Sequence, residues 1–243
     1  MAEIFVGIPW GNEKLHSTTR KEHILGQMGM TPDGRLHRFG FIDGAVTAGK
    51  LLAQKAPTAA HDMDLATTAA AIGATSITVT LGATAATLNQ YEDGVIYVND
   101  VTGEGQLFAI ASNPVAAASA SLVLTLHEKV VTALSATSQT GLIENPYKDA
   151  TVHPTTITGC ASGFTNHDVP DNAYFWMCSR GNVAALIDVT ITPFGEYLMR
   201  STNVAGAVMQ ANYAGTAEVQ NVAISNNIVA VDTDYQYCRA CID

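Results

Sequence analysis

Short strands cut by glycine turns constrain this chain most, and Thr31 to Leu51 (TPDGRLHRFGFIDGAVTAGKL) is the densest example. A Pro32-Asp33-Gly34 turn leads into an extended run carrying Arg35, Arg38 and aromatics. Gly44-Ala45 turns the chain again, and Thr47-Ala48-Gly49-Lys50 opens another strand. Such punctuation breaks helices and predicts β-structure. The clearest strand is Ser76–Leu81, with Ile77, Val79 and Leu81 on one face and Ser76, Thr78 and Thr80 on the other. Gly94–Asn99 and Gln106–Ala111 flank the connector Asp100–Gly105 as a predicted hairpin, and Ser121–His127 restores the alternation. Ala173–Ser179 and Val183–Thr192 read as a second hairpin around Arg180-Gly181-Asn182. Ser225–Asp232 and Asp234–Ile242 read as closing strands. The Ala-rich Leu65–Ile72 would support a turn or two of helix. No internal repeat is evident, and the fold class expected is all-β, as barrel or sandwich lobes.

Composition narrows what such a chain does. Of its 243 residues 47% are hydrophobic and only 14% charged, against roughly 25% charged in an average soluble domain. Ala, Thr, Gly, Ser and Asn replace the missing charge, which suits surfaces covered by neighbours. Residues 1–55 hold seven basic side chains (Lys14, Arg20, Lys21, Arg35, Arg38, Lys50, Lys55) against five acids, although the whole chain carries −10. An acidic body argues against nucleic acid as a partner, and a basic front end steers towards an acidic protein surface. The uncharged stretches Leu65–Tyr91 and Gly105–Leu126 alternate at period two where they are most apolar, so sheet is expected there and no membrane span. Met1-Ala2-Glu3 has no basic n-region, and synthesis in a bacterial cytoplasm is the expectation.

Turn-rich Gly141–Pro154 marks a seam. The expected organisation is an extended N-terminal arm over 1–30, a β-rich lobe over 31–140 in which 65–140 is readable as an inserted β-module, and a second lobe over 141–243.

No catalytic or metal motif stands out along the chain. Cys238 and Cys241 have redox or zinc spacing, but in a strand residues three apart point to opposite faces. Buried small hydrophobes are therefore expected there, with no metal and no cofactor. The seven histidines are scattered without a ligand spacing, and Gly159–Gly163 has the wrong order for a nucleophile elbow. His61–Asp64 and Asp232–Asp234 read as solvated turns, lacking the frame of a calcium loop. Trp10, Tyr91, Tyr147 and Trp176 are the aromatics that could stack on a sugar, although the Tyr-Phe-Trp-Met setting of Trp176 assigns it to the core. No catalytic residue is assigned, and the chain is not expected to be an enzyme.

The order of these elements resembles capsid decoration (cement, head-stabilising) proteins of tailed bacteriophages. The resemblance is carried by Asp33-Gly34-Arg35 with Arg38-Phe39, followed by Gly44-Ala45 and Ala48-Gly49-Lys50-Leu51. It extends to the block from Gly73 to Leu126, to Glu144–Val152 (ENPYKDATV), to Asn172–Asp188 (NAYFWMCSRGNVAALID) and to the terminal VDTDYQYCRACID. Residues 1–30 and 193–224 lie outside it. The resemblance implies a structural virion protein on the capsid exterior, a homotrimer bridging subunits of the major capsid protein. Trp10, Arg20, Lys21, Arg35 and Arg38 are the expected capsid or subunit contacts, because they lie in the net-positive part of the chain. A tail, neck or fibre component, or a surface carbohydrate-binding module, is the alternative reading.

Overall fold

The computed structural model describes residues 5–19, 23–190, 194–211, 220–227 and 232–243. Arg20 and Lys21 lie outside them. The strands in chain order are β1 Phe5–Gly7, β2 His16–Ser17, β3 Met28–Met30, β4 Leu36–Phe41, β5 Leu51–Ala53, β6 Leu65–Ala66, β7 Ser76–Thr80, β8 Val95–Asp100 and β9 Leu107–Ser112. They continue with β10 Ser121–Leu126, β11 Gln139–Ile143, β12 Thr151–Val152, β13 Ala161–Phe164, β14 Tyr174–Leu186, β15 Tyr197–Arg200, β16 Val208–Gln210, β17 Ala223–Ser225 and β18 Tyr235–Cys241. The chain is all-β, as expected. A single 3-10 turn over Asn12–Lys14 is the helical element among the described residues, so Leu65–Ile72 forms no helical turn; it enters β6 instead. No helix of the described residues is long and apolar enough to cross a membrane.

The chain divides into two compact units, and the division does not follow a cut near residue 140. Residues 57–145 form one unit, and 1–56 together with 146–243 form the other. Residues 31–56 thus belong with the C-terminal half. The reason is pairing across the long sequence gap: β5 pairs with β12 (Ala53↔Thr151), and Lys55 reaches Asp149 at 3.2 Å. On the other side of the junction, Thr58 donates to Glu144. The chain therefore leaves and re-enters each unit at neighbouring points.

The unit of 57–145 is a small barrel. Its strand order is β6-β11-β8-β9-β10-β7, and the bridge Thr67↔Val79, with Thr68 N–H donating to Thr78 O, joins the two ends. Alternation fills the interior with Ile77, Val79, Ile96, Val98, Phe108, Ile110, Leu122 and Leu124, as expected of a barrel this narrow. The expected β8–β9 hairpin is present, Val95 opposite Ala109.

The barrel also contains a repeat that the sequence conceals. Exchanging β6-β7-β8 with β9-β10-β11 reproduces the strand order, with the closing bridge Thr67↔Val79 standing where the β9–β10 pair stands in the other half. In the β7–β10 pair, Thr78↔Val123 lies at the centre, flanked by Thr80↔Ser121 and Ser76↔Thr125. The loops obey the same exchange: Ala70 bridges Leu134 as Ala116 bridges Ala86, and Gly73 N–H donates to Val130 O as Ser119 N–H donates to Gly82 O. Gly73 and Ser119 both have positive φ. Apart from Ser76-Ile-Thr-Val-Thr-Leu81 and Ser121-Leu-Val-Leu-Thr-Leu126, few identities survive, because pattern and turn geometry suffice to specify each half.

The other unit is a twelve-stranded sheet built on β14, with the main order β1-β3-β4-β14-β18-β17-β15-β16. β14 is thirteen residues long and unbroken. The hairpin expected around Arg180-Gly181-Asn182 is absent. Instead, the first half of β14 pairs with β4 (Trp176↔Phe39) and the second with β18 (Val183↔Cys238). Gly181 sits between them at φ +105, beside the Arg35 backbone, and the register shifts between Cys178 and Arg180. The extra residue of that shift is Ser179, and Gly181 pairs in register with Ala240, so the strand runs on through a bulge and does not reverse. Residues 5–19 and 23–30 are not a free arm: β1 runs parallel to β3, β3 pairs with β4, and β2 pairs with Tyr174–Phe175. Ile8 and Leu25 pack with Phe39 and Trp176 in a small core.

Candidate interaction surface and cleft

The N-terminal segment displays apolar side chains that its own packing does not use. Phe5, Trp10, Leu15, Ile24 and Met30 are all exposed, Trp10 to 62%, while Ile8, Leu25 and Glu13 between them are buried. The inward residues hold the segment, leaving the outward ones free. β1 ends the strand order, so its outer edge has no neighbour among the described residues.

The expected basic contacts are placed differently. Arg35 is tied at Nε to Asp33 (2.8 Å) and at an Nη to Glu13 (3.2 Å). Arg38 donates to Asp243 (2.8 Å) and to Gly26 O (3.0 Å), and lies 5.8 Å from the centre of the Tyr147 ring. Both guanidiniums therefore hold the fold together. Of the expected contact residues within the described chain, Trp10 alone is openly exposed.

Behind Arg35 lies an unusual polar cluster. Glu13 is buried; burial works against its carboxylate, but its own backbone and the Arg35 guanidinium prevail and hold its pKa below the ordinary value. Its Oε2 has no hydrogen-bond partner. Asp33 is likewise opposed by burial and yet held low by Thr31 Oγ1, 2.6 Å away, and by Arg35. His37 is fully buried, with neither ring nitrogen partnered. Burial, reinforced by the Arg35 charge, pushes its pKa down to about 4. Nearby on the chain, His16 stacks on His167 with centroids 5.6 Å apart, and both nitrogens of His167 lack partners.

In the same unit a cleft of about 570 Å³ opens between the 3-10 turn, the Asp33–Arg35 turn, the Thr47–Gly49 turn, the Thr165–Asp168 loop and strands β14 and β18. Tyr235 and Tyr237 line it from alternate positions of β18, both about half exposed. Gly49, at φ +72, lies against the Tyr235 ring; a Cβ there would fall 2.6 Å from Tyr235 Cδ1. Asp168 Oδ1 accepts from Ala48 N–H at 2.8 Å and pins one wall. Sequence reasoning identifies β18 only as a closing strand, although the outward placement of Tyr235, Tyr237 and Arg239 is legible in its alternation. Of the aromatics that could stack on a sugar, Tyr91 is fully buried and Trp176 nearly so, and Tyr147 lies under Arg38.

Cys238 and Cys241 fall on opposite faces of β18, Cys238 buried and Cys241 partly so. Burial pushes the Cys178 and Cys238 thiols up to about 12, so neither supplies a thiolate at neutral pH. Comparison of the chain with protein-family models, with curated proteins and with solved structures returns no match.

Proposed function

We propose that this chain is a structural virion protein, a capsid decoration protein that binds and stabilises a phage head by bridging subunits of the major capsid protein. The observation that carries the reading is the set of exposed apolar side chains, Phe5, Trp10, Leu15, Ile24 and Met30, on a segment anchored by its buried residues. Trp and Met enrich the centres of protein interfaces, and a Trp is a common energetic anchor. The open edge of β1 offers backbone groups for strand addition by a partner. The low charge and the motif order support the same reading. The mechanism is purely associative: homotrimers of the chain on the capsid exterior multiply modest contacts into tight attachment through symmetry.

The test is co-sedimentation with expanded capsids assembled from the major capsid protein encoded in the same genome. Substitution serves better than deletion, because Ile8, Glu13 and Leu25 are buried. Trp10→Ala with Leu15→Ser should leave the fold intact and weaken binding about 30-fold or more, the loss expected when a ~2 kcal/mol anchor is removed. Capsid occupancy equal to that of the unaltered chain would sink the proposal.

A further inference from the structure

The geometry points to the cleft beside β18 as a binding site for a neutral saccharide, a role separate from attachment through the N-terminal segment. Its volume, about 570 Å³, falls in the range of small-molecule sites. Three properties define what fits.

The first is charge. The lining carries Lys14 and Arg35 against Asp33 and Asp168, so it has no net formal charge. The Arg35 guanidinium is already engaged by Asp33 and Glu13. An anionic ligand would find no spare bidentate partner, and a cation no cluster of carboxylates. Among the described residues no group of His, Cys, Asp and Glu is placed to hold a metal ion.

The second is unspent hydrogen bonding. Asn166 Nδ2 has no partner. The Asn182 side chain and the Tyr235 and Tyr237 rings line the same cleft and are all exposed, so their polar ends are open to a ligand. Carboxamides and phenols that both donate and accept suit vicinal hydroxyls, which do the same. An apolar ligand would leave all of them unmet, at the cost that discriminates against ligands lacking hydroxyl groups.

The third is the aromatic platform. Tyr235 and Tyr237 lie two residues apart on one face of a strand, and the cross-strand neighbour of Tyr237 is only Ala184. The small neighbour leaves the ring open from that side. The Tyr235 ring lies against Gly49, closely enough to leave no room for a Cβ there, and a ring backed on one side has less freedom to lose on binding. An aromatic ring offers the apolar face of a pyranose an apolar partner, while its hydroxyl reaches the sugar rim.

The test uses the full chain and three neutral probes, the linear trisaccharides of glucose, of galactose and of N-acetylglucosamine, with a trisaccharide of glucuronate as the charged comparison. Saturation-transfer NMR and calorimetry should show at least one neutral probe binding more tightly than the glucuronate. Tyr237→Ala and Asn182→Ala, both at exposed positions, should retain the thermal transition and each lower that affinity about tenfold. Three findings would overturn the assignment: no neutral probe bound at millimolar concentration, preference for the glucuronate, or binding that both substitutions leave unchanged. Capsid attachment plays no part in these measurements, so their outcome is distinct from that of the capsid test.

Discussion

In the barrel, buried polar side chains find partners within the same unit. Asn113 donates to Thr87 O and Pro114 O and accepts from Tyr91 N–H, all at 2.8 Å. His61, fully buried, bonds through its two nitrogens to the Tyr91 hydroxyl and Thr84 O. Asn99 Oδ1 is the unmet buried side-chain atom recorded among the described residues of that unit. In the large sheet, Glu13, His37, Ser162, Asn166 and His167 all hold unmet polar atoms. Four of these belong to one neighbourhood: Glu13 and His37 adjoin Arg35, Asn166 shares the cleft with it, and His167 stacks on His16, two residues beyond Lys14. Such groups cost stability, and chains tolerate them where function requires it. The contrast predicts the greater stability for the barrel, with its internal twofold, and it matches the two binding proposals above, both of which lie in the large unit.

The largest effect that sharpens this contrast comes from the barrel core. Phe108 is buried among Ile96, Ile110 and Leu124, and Phe108→Ala should cost about 3–5 kcal/mol. Native-state hydrogen exchange should show that loss in the amides of 57–145. If amides throughout 1–56 and 146–243 lose protection by the same amount, the two units unfold together, and stability cannot be assigned to one of them.

Acid should act the other way round. His37, His153 and His167, all in the large unit, are held below the ordinary histidine value by burial first, with Arg35, Arg200 and His16 adding to it respectively. For a group whose folded pKa is depressed, the unfolded chain binds more protons between the two values, so stability is complete above the unfolded pKa and falls as pH drops towards the folded one. For His37 that window runs from 6.5 down to about 4, and its contribution is roughly 3 kcal/mol. Glu13, Asp33 and Asp243 add their own losses only at lower pH, below their ordinary values of 4.5, 3.8 and 3.8. Denaturant unfolding between pH 7.5 and 4.5 should therefore weaken the large unit, and His37→Leu should flatten much of that slope. A slope unchanged in His37→Leu would show that the imidazole finds a water partner and titrates freely.

How far the chain can be read follows from element length. Strands of five or six residues, such as β7, β8 and β10, show their alternation plainly, and the closing strand β18 does as well. β1, β2 and β3 have three, two and three residues, too few to display a period, and so the segment reads as an arm. Gly181 reads as a turn because a glycine between two apolar runs has the same local signature whether it reverses a strand or lies within one. The ion pairs of Arg35 with Glu13 and Arg38 with Asp243 span 22 and 205 residues, and local pattern carries no trace of such partners. For the same reason the outward faces of Tyr235 and Tyr237 are visible in the sequence, but the cleft they share with Asn166 and Gly49 is not.

The smallest effect concerns the two faces of β18, where core and cleft meet within one strand. Cys238 is buried with Ala240 in the core that includes Val183 and Ala223, whereas Cys241 shares the outward side with Tyr237 and Arg239. Its sulfur lies 4.0 Å from Asn221 O, so it already has a polar neighbour. Cys238→Ser places a hydroxyl among apolar groups and should cost about 1–2 kcal/mol. Cys241→Ser exchanges one half-exposed polar group for another and should change stability by less than about 0.5 kcal/mol. Chemical denaturation of the two variants side by side measures the difference. Equal costs, or a Cys238–Cys241 disulfide found by mass spectrometry of the native protein, would mean that β18 does not alternate as described. Tyr235 and Tyr237, placed by that same alternation, would then lose the outward face on which the cleft depends.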